Sequence, residues 1–302
     1  MMLRSTTKSM VMTESTPDSC FSKQPAIPFL WHGCWNLLPM SFPRLFIACL
    51  FFFSSPIFAH AQASLRSISN DAFRPGEKLS YRVHYGFIDA GTAQLEVASN
   101  TTKIGPRECY HVIGTGRSVG AFDWFFKVRD RYESFVDVEA LVPWLFLRNI
   151  SEGGYEKTQK VIFSQYLDSV ASEKKTISVP DNTQDLISAF YYARTIDFSS
   201  ATTGQVFPIT GYLDDETIPL SIRFIGRENI QTRFGTFRCI KLRPMLQEGR
   251  VFKENEDMTV WISDDKNKIP IRVQTDILVG SIKMDITGFE NLLHPPAVFG
   301  KK

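Results

Sequence analysis

The stretch "KLSYRVHYG", residues 78–86, puts Leu79, Tyr81, Val83 and Tyr85 on one side of an extended chain and Ser80, Arg82 and His84 on the other. A period of two marks a strand with one face buried and the other wet. The next segment, "TAQLEVA" (residues 92–98), repeats the pattern with Ala93, Leu95 and Val97, and Gly86 to Gly91 form the turn between the two. The chain therefore opens as an antiparallel pair.

Working outward, "ECYHVIGTG", "RYESFVDV", "LFLRNISEG", "YEKTQKVIFSQ" and "SEKKTISV" read as further strands, parted by Gly, Asp or Ser. The period changes once. "PDNTQDLISAFYYARTIDF" (residues 180–198) sets Leu186, Ile187, Phe190, Tyr191 and Arg194 at helical spacing, with Asp181 and Gln184 placed for a capping box. Strands resume with "GQVFPITGYL", "IPLSIRFIGRENI", "GTFRCIKLRPML", "DMTVWISDD", "IPIRVQTDIL" and "SIKMDITGF". Many short strands around one helix exclude alternating βαβ units. The expected fold is mainly β: an antiparallel curved sheet or barrel over residues 73–290, with one main α-helix near 183–196. "RECYHVIG" and "FRCIKLRP" echo each other, so the domain also reads as two related lobes, 73–180 and 200–290.

The N-terminus reads differently. "MSFPRLFIACLFFFSSPIFAHAQA" (residues 40–63) has Arg44, an unbroken apolar run from Leu45 to Phe53, and small residues around Ala59, Ala61 and Ala63. Charge, short apolar run and small-residue cleavage site define a secretory signal peptide, here 40–61. The run falls short of the roughly 20 residues that span a bilayer. Residues 1–39, rich in Ser, Thr and Pro, then form a disordered extension ahead of a start at Met40, and 62–72 form a linker. Cys49 is a poor lipidation site, because Leu50 to Phe53 follow it instead of a polar tether. Beyond residue 61 the chain carries 30 basic and 30 acidic residues. That balance gives no electrostatic case for nucleic acid or for anionic membranes. Residues 291–302 read as a loose tail, and the expected destination is the periplasm, with secretion or envelope association as alternatives.

The chemistry-bearing motifs are sparse. "GRSVG" (residues 116–120) matches the nucleophile elbow of serine hydrolases, with Ser118 as the candidate nucleophile and Asp264 or Asp265 and His294 downstream. That elbow needs a parallel sheet with alternating helices, which this pattern lacks. "GTGRSVG" is one residue too wide for a dinucleotide loop, so no cofactor is expected. His84 and His111 lack a third ligand at metal-binding spacing, and no metal site is expected. Asp214-Asp215-Glu216 and Asp264-Asp265 read as turns. Cys109 and Cys239 are the two cysteines beyond the signal peptide; export makes a bridge between them chemically available, and two separate buried thiols are the other reading.

Aromatics remain. "GAFDWFFKV" (residues 120–128) places Phe122, Phe125 and Phe126 at the spacing of one helical turn laid on the sheet as core, leaving Trp124 beside Lys127 to meet a ligand. Trp144 and Trp261 are the other candidates for an aromatic-lined cavity, with Arg129, Arg117 and Arg131 at its mouth.

"FRPGEKLSYRVHYGFIDAGTAQLEV", "CYHVIGTGRSVGAFDWFFKVRDRYESFVD", "SAFYYAR", "IGRENIQTRFGTFRCIKLRP" and "VWISDDKNKIPIRV" together resemble the domain-of-unknown-function 3108 family of exported bacterial proteins. The resemblance implies a β-rich, barrel-like envelope protein without assigned activity or catalytic residues. "MTVWISDDKNKIPIRV" also looks like a strand–turn–strand unit of periplasmic lipoprotein carriers, which implies an amphipathic ligand. The functional expectation is non-enzymatic binding of a lipid or glycan. A Ser118 hydrolase and a structural or assembly role are the alternatives.

Overall fold

The structure is a computed structural model that describes residues 64–245, 258–277 and 279–300. The expected extension 1–39, the signal peptide 40–61 and Cys49 lie outside the described residues. The first strands are β1 (Lys78–Tyr85), β2 (Ile88–Val97), β3 (Thr102–Ile104) and β4 (Arg107–Ser118). A short helix α1 (Gly120–Phe125) leads to β5 (Arg129–Asp137), β6 (Pro143–Glu152), β7 (Tyr155–Ser164), β8 (Ser169–Ser172) and β9 (Thr176–Ser178). Helix α2 (Leu186–Ala193) precedes β10 (Val206–Leu213), β11 (Glu216–Thr232) and β12 (Gly235–Met245). Last come β13 (Met258–Ser263), β14 (Pro270–Asp276), β15 (Ser281–Glu290) and β16 (Val298–Phe299).

Among the described residues all strands join one antiparallel sheet, in the order β10-β11-β12-β13-β14-β15-β1-β2-β4-β5-β6-β7-β8-β9. The strands before and after α2 are continuous through the β1–β15 ladder, which runs from Lys78 opposite Glu290 to Tyr85 opposite Ile282. The sheet curls so that its apolar face turns inward, and it does not close into a barrel. The reason is local. The outer edge of β10 is taken by the backbone of Gln184, whose N–H donates to the Thr210 carbonyl while its own carbonyl accepts from the Tyr212 N–H. Gln184 thus fills the ladder position between Thr210 and Tyr212, where a closing strand would pair. Side chains bridge the seam instead: Asp214 accepts from Arg148 at 2.5 Å and from Lys157 at 2.6 Å, and the Tyr212 ring meets Phe163 at 5.9 Å.

The same backbone contact shortens the helix. Gln184 is extended, so the cap is not Asp181 with Gln184. It is Asp185, which accepts from the Ile187 and Ser188 amides while the Ser188 hydroxyl accepts from the Asp185 N–H. Ile187 of α2 presses onto β4 at Gly114, where an added Cβ would sit 3.2 Å from its Cδ1. Phe73, Val97, Val112, Val136, Leu141 and Tyr191 close the core on this side. The end of α2 is fastened by Arg194, which is buried with Glu77 and donates to it at 2.5 and 2.8 Å. It also donates to the carbonyls of Ala72 and Asn267.

Asp185 carries a pH dependence. Burial pushes its pKa up to about 6, against the Ser134 hydroxyl and the Ser188 and Ile187 amides, which pull it down. Between the ordinary value of 3.8 and about 6, the folded state holds a proton that the unfolded chain has released. Stability therefore falls as pH rises through that window and is level above it. Relative to Asp185→Asn, the parent protein is expected to lose about 1–3 kcal/mol between about pH 4 and about pH 6.5 in urea titrations. A difference below about 0.5 kcal/mol would contradict the assignment.

Candidate functional site

Antiparallel register aligns polar side chains that lie far apart in sequence. Ser80 stands opposite Gln94, Gln94 opposite Thr115, Thr115 opposite Arg131, and Arg131 opposite Asn149. These residues alternate with core-facing ones, so the row lies on the outer face of the sheet. The neighbouring row sets Thr92 opposite Arg117, and Arg117 opposite Arg129. The face bounds a groove of about 790 Å³, whose lining includes the whole first row with Thr92, Arg117 and Arg129. Tyr81 is the one aromatic residue in that lining among the described residues.

The three arginines are held differently. Arg131 donates to Glu133 at 2.7 Å, and Glu133 also meets His111 at 2.6 Å. The Arg131 bond holds the Glu133 carboxyl below its usual range despite burial, with help from His111. Arg129 grips Asp123 of α1 through two bonds, at 2.6 and 3.0 Å. Those bonds, with one from Ser118, keep the Asp123 carboxyl at about 2. Arg117 donates to the Thr92 hydroxyl at 3.2 Å and forms no ion pair among the described residues. An arginine with a neutral partner, on a face of hydroxyls and amides, is equipped to take a carboxylate, sulfate or phosphate.

Ser118 is oriented, but not as a nucleophile. Its hydroxyl donates to Asp123 at 2.6 Å and accepts from the Val128 N–H at 2.9 Å. The downstream residues go elsewhere. Asp264 pairs with Arg227 and Arg238, Asp265 accepts from the turn amides of Asn267 and Lys268, and His294 bonds Asp71. The serine, acid and histidine of a hydrolase are not brought together. The tail bearing His294 is tied down, since His294 and Asn267 exchange two hydrogen bonds and β16 pairs with β12.

The aromatic candidates also part company. Trp261 is core, with its Nε1 donating to Glu228 and Lys241 over its ring. Trp144 opens β6, donates to Asp137 at 2.9 Å and packs on Tyr166. Trp124 lies by the far end of β6, where Val128 bridges Glu152. Eight residues of strand separate the ends, about 26 Å. None of the three lines the groove. The segment expected to fill the core with Phe122, Phe125 and Phe126 instead buries no residue of α1 and leaves Trp124, Phe125 and Phe126 exposed. Phe126 lies against Gly153 of the β6–β7 turn, at positive φ, where an added Cβ would fall 2.3 Å from the ring. Lys127 is exposed beside it.

Cys109 and Cys239 are free and buried, in β4 and β12, so the bridge is not formed. Five strands, β13, β14, β15, β1 and β2, lie between them in the sheet order. Burial pushes both thiols up to about 12, so neither is primed to react. His84 meets Asp285 and His111 meets Glu133; no cluster of three metal-ligating side chains exists among the described residues.

What these features define is a class: an open, curled antiparallel β protein, barrel-like in outline, with a polar groove on its outer face. Sequence comparison places it further. The DUF3108 family, described as a protein of unknown function, matches residues 80–287, and the chain belongs to that family. No curated protein matches the chain. Among solved structures, a Brucella abortus β-barrel-like protein of the DUF1849 domain aligns with TM-score 0.47 at 11% identity, covering 72% of this chain and 99% of that one. A Bacteroides fragilis protein described as exported, with a YmcC-like fold, aligns with TM-score 0.31 at 8% identity, covering 76% and 100%. A Chlamydia trachomatis hypothetical protein aligns with TM-score 0.34 at 7% identity, covering 74% and 91%.

Proposed function

We propose that the protein is a non-enzymatic, exported component of the cell envelope, most of all of the periplasm, that binds an acidic glycan along the outer groove. The observation that carries this reading is the five-strand polar row from Ser80 to Asn149 beside Arg117, which has no acidic partner among the described residues. Hydroxyls and amides match sugar hydroxyls, and arginine matches an acidic substituent. An acyl chain is disfavoured there, because Ser, Thr, Gln, Asn and Arg make up most of the lining, and the three arginines outnumber its one acid, Asp130. Export is supported by the order of charge, apolar run and small residues over 40–61. Ser118, bonded to an acid and a backbone amide, supports no hydrolase.

Oligogalacturonate is the probe. The parent protein is expected to bind it in isothermal titration, and Arg117→Ala/Arg131→Ala to bind at least about tenfold more weakly, or about 1.4 kcal/mol. Equal affinity of parent and variant would remove the groove from the reading. No binding at about 1 mM would remove an acidic glycan.

A further inference from the structure

Over the run of eight adjacent strands from β14 to β7, the two ends of the sheet differ in kind. At one end the connections are closed by polar side chains. Asp137 accepts from Arg107, Trp144 and two turn amides, and Asp265 accepts from the turn that follows it. At the other end, four hairpin tips stand side by side, joining β14 to β15, β1 to β2, β4 through α1 to β5, and β6 to β7. Every one of them exposes large apolar side chains: Val279, then Phe87 and Ile88, then Trp124 and Phe125, then Tyr155. Phe87 and Trp124 are 101% and 91% exposed. Glycines at positive φ in the turns, at 86, 120, 153 and 280, lift these side chains clear of the sheet.

Three arguments select the occupant. The tips are spread along an arc of about 30 Å, at ~4.8 Å per strand, so no single packed patch exists for a protein surface to cover. Trp, Tyr and Phe on protruding turns are suited to the boundary between headgroups and acyl chains, which deforms around each ring. The tip that carries Trp124 has charge of the right sign: from Arg117 to Arg129 three bases meet one acid, and that acid, Asp123, is already neutralised by Arg129. Lys127 stands free beside Trp124 and forms no ion pair among the described residues.

We propose that this rim docks the protein onto a phospholipid bilayer with anionic headgroups, by shallow insertion of Trp124, Phe125 and Phe87 with Lys127 meeting phosphate. The docking is peripheral; no helix among the described residues is long and apolar enough to cross a membrane. The inserted side chains lie outside the groove, although Arg117 and Arg129 border both, and the docking does not depend on a glycan being bound there.

Vesicle flotation of the full chain tests it, using phosphatidylcholine alone or with about a quarter phosphatidylglycerol. Trp124→Ser/Phe125→Ser is compared with the parent. Both carry the same apolar run at 45–53, so the difference reports the rim alone. The double variant is expected to partition at least about tenfold less onto mixed vesicles, with an unchanged thermal midpoint because both positions are exposed. Lys127→Glu is expected to weaken partitioning on mixed vesicles and leave it unaltered on phosphatidylcholine. Equal partitioning of parent and double variant, or a parent that stays in the aqueous layer, would overturn the proposal. So would a parent dimer in sedimentation equilibrium that the double variant loses without any vesicle binding, because the rim would then be an interface between copies.

Discussion

Arg194→Met is expected to lower the thermal unfolding midpoint by about 10 °C or more. The guanidinium is 1% exposed, its partner Glu77 is fully buried, and two further bonds run to the Ala72 and Asn267 carbonyls. Removing one member of such a pair leaves the other charge buried without compensation, which costs about 3–5 kcal/mol. In a domain of this size each kcal/mol moves the midpoint by about 2–4 °C. The double variant Arg194→Met/Glu77→Leu is expected to regain much of the loss, because an apolar pair of similar volume replaces a buried ion pair at little cost. A single-variant shift under about 3 °C would show that the pair does not fasten α2 to the segment before β1.

Asp137→Ala is expected to be nearly as damaging, by about 3 kcal/mol or more in urea titrations. This carboxylate is fully buried and takes two bonds from Arg107, at 2.6 and 2.7 Å, one from Trp144 and two from the Glu139 and Ala140 amides. Burial by itself would raise its pKa; Arg107, Trp144 and the turn amides outweigh that and hold it below the usual range. Its stabilising contribution is therefore complete above the unfolded value of 3.8 and is lost as pH falls below it. Asp137→Asn keeps the shape but loses the charge and is expected to recover less than half. A loss within about 1 kcal/mol for the alanine variant would mean that the β5–β6 connection is held by other contacts.

Alternation made the strands readable. "KLSYRVHYG" became β1 with Leu79 and Tyr81 buried, because a period of two has one structural meaning. The helix was readable too, but not its start, since Asp181 and Asp185 are both good caps and the pairing of Gln184 with Thr210 and Tyr212 chooses between them. Long-range pairing also hid the site. Ser80, Gln94, Thr115, Arg131 and Asn149 form a row only once four registers are known, and no local pattern encodes those registers. The spacing of Phe122 and Phe125 showed a helical turn correctly and its burial wrongly. Periodicity says which side chains share a face, not whether anything lies against that face. Glu77 and Arg194, 117 residues apart, carried no signal of each other at all.

The Gln184 contact has a consequence for life in a crowded compartment. A long open sheet offers two raw edges, and each is a template on which a second chain can grow. Here one edge, along β10, is interrupted at Thr210–Tyr212 by Gln184 from the same chain. The other ends in β9, three residues long, with Lys174 and Lys175 just before it and Pro180 soon after. Too short, charged and proline-limited to recruit a neighbour, it leaves the sheet blunt at both ends, so the molecule can stay unclosed without polymerising.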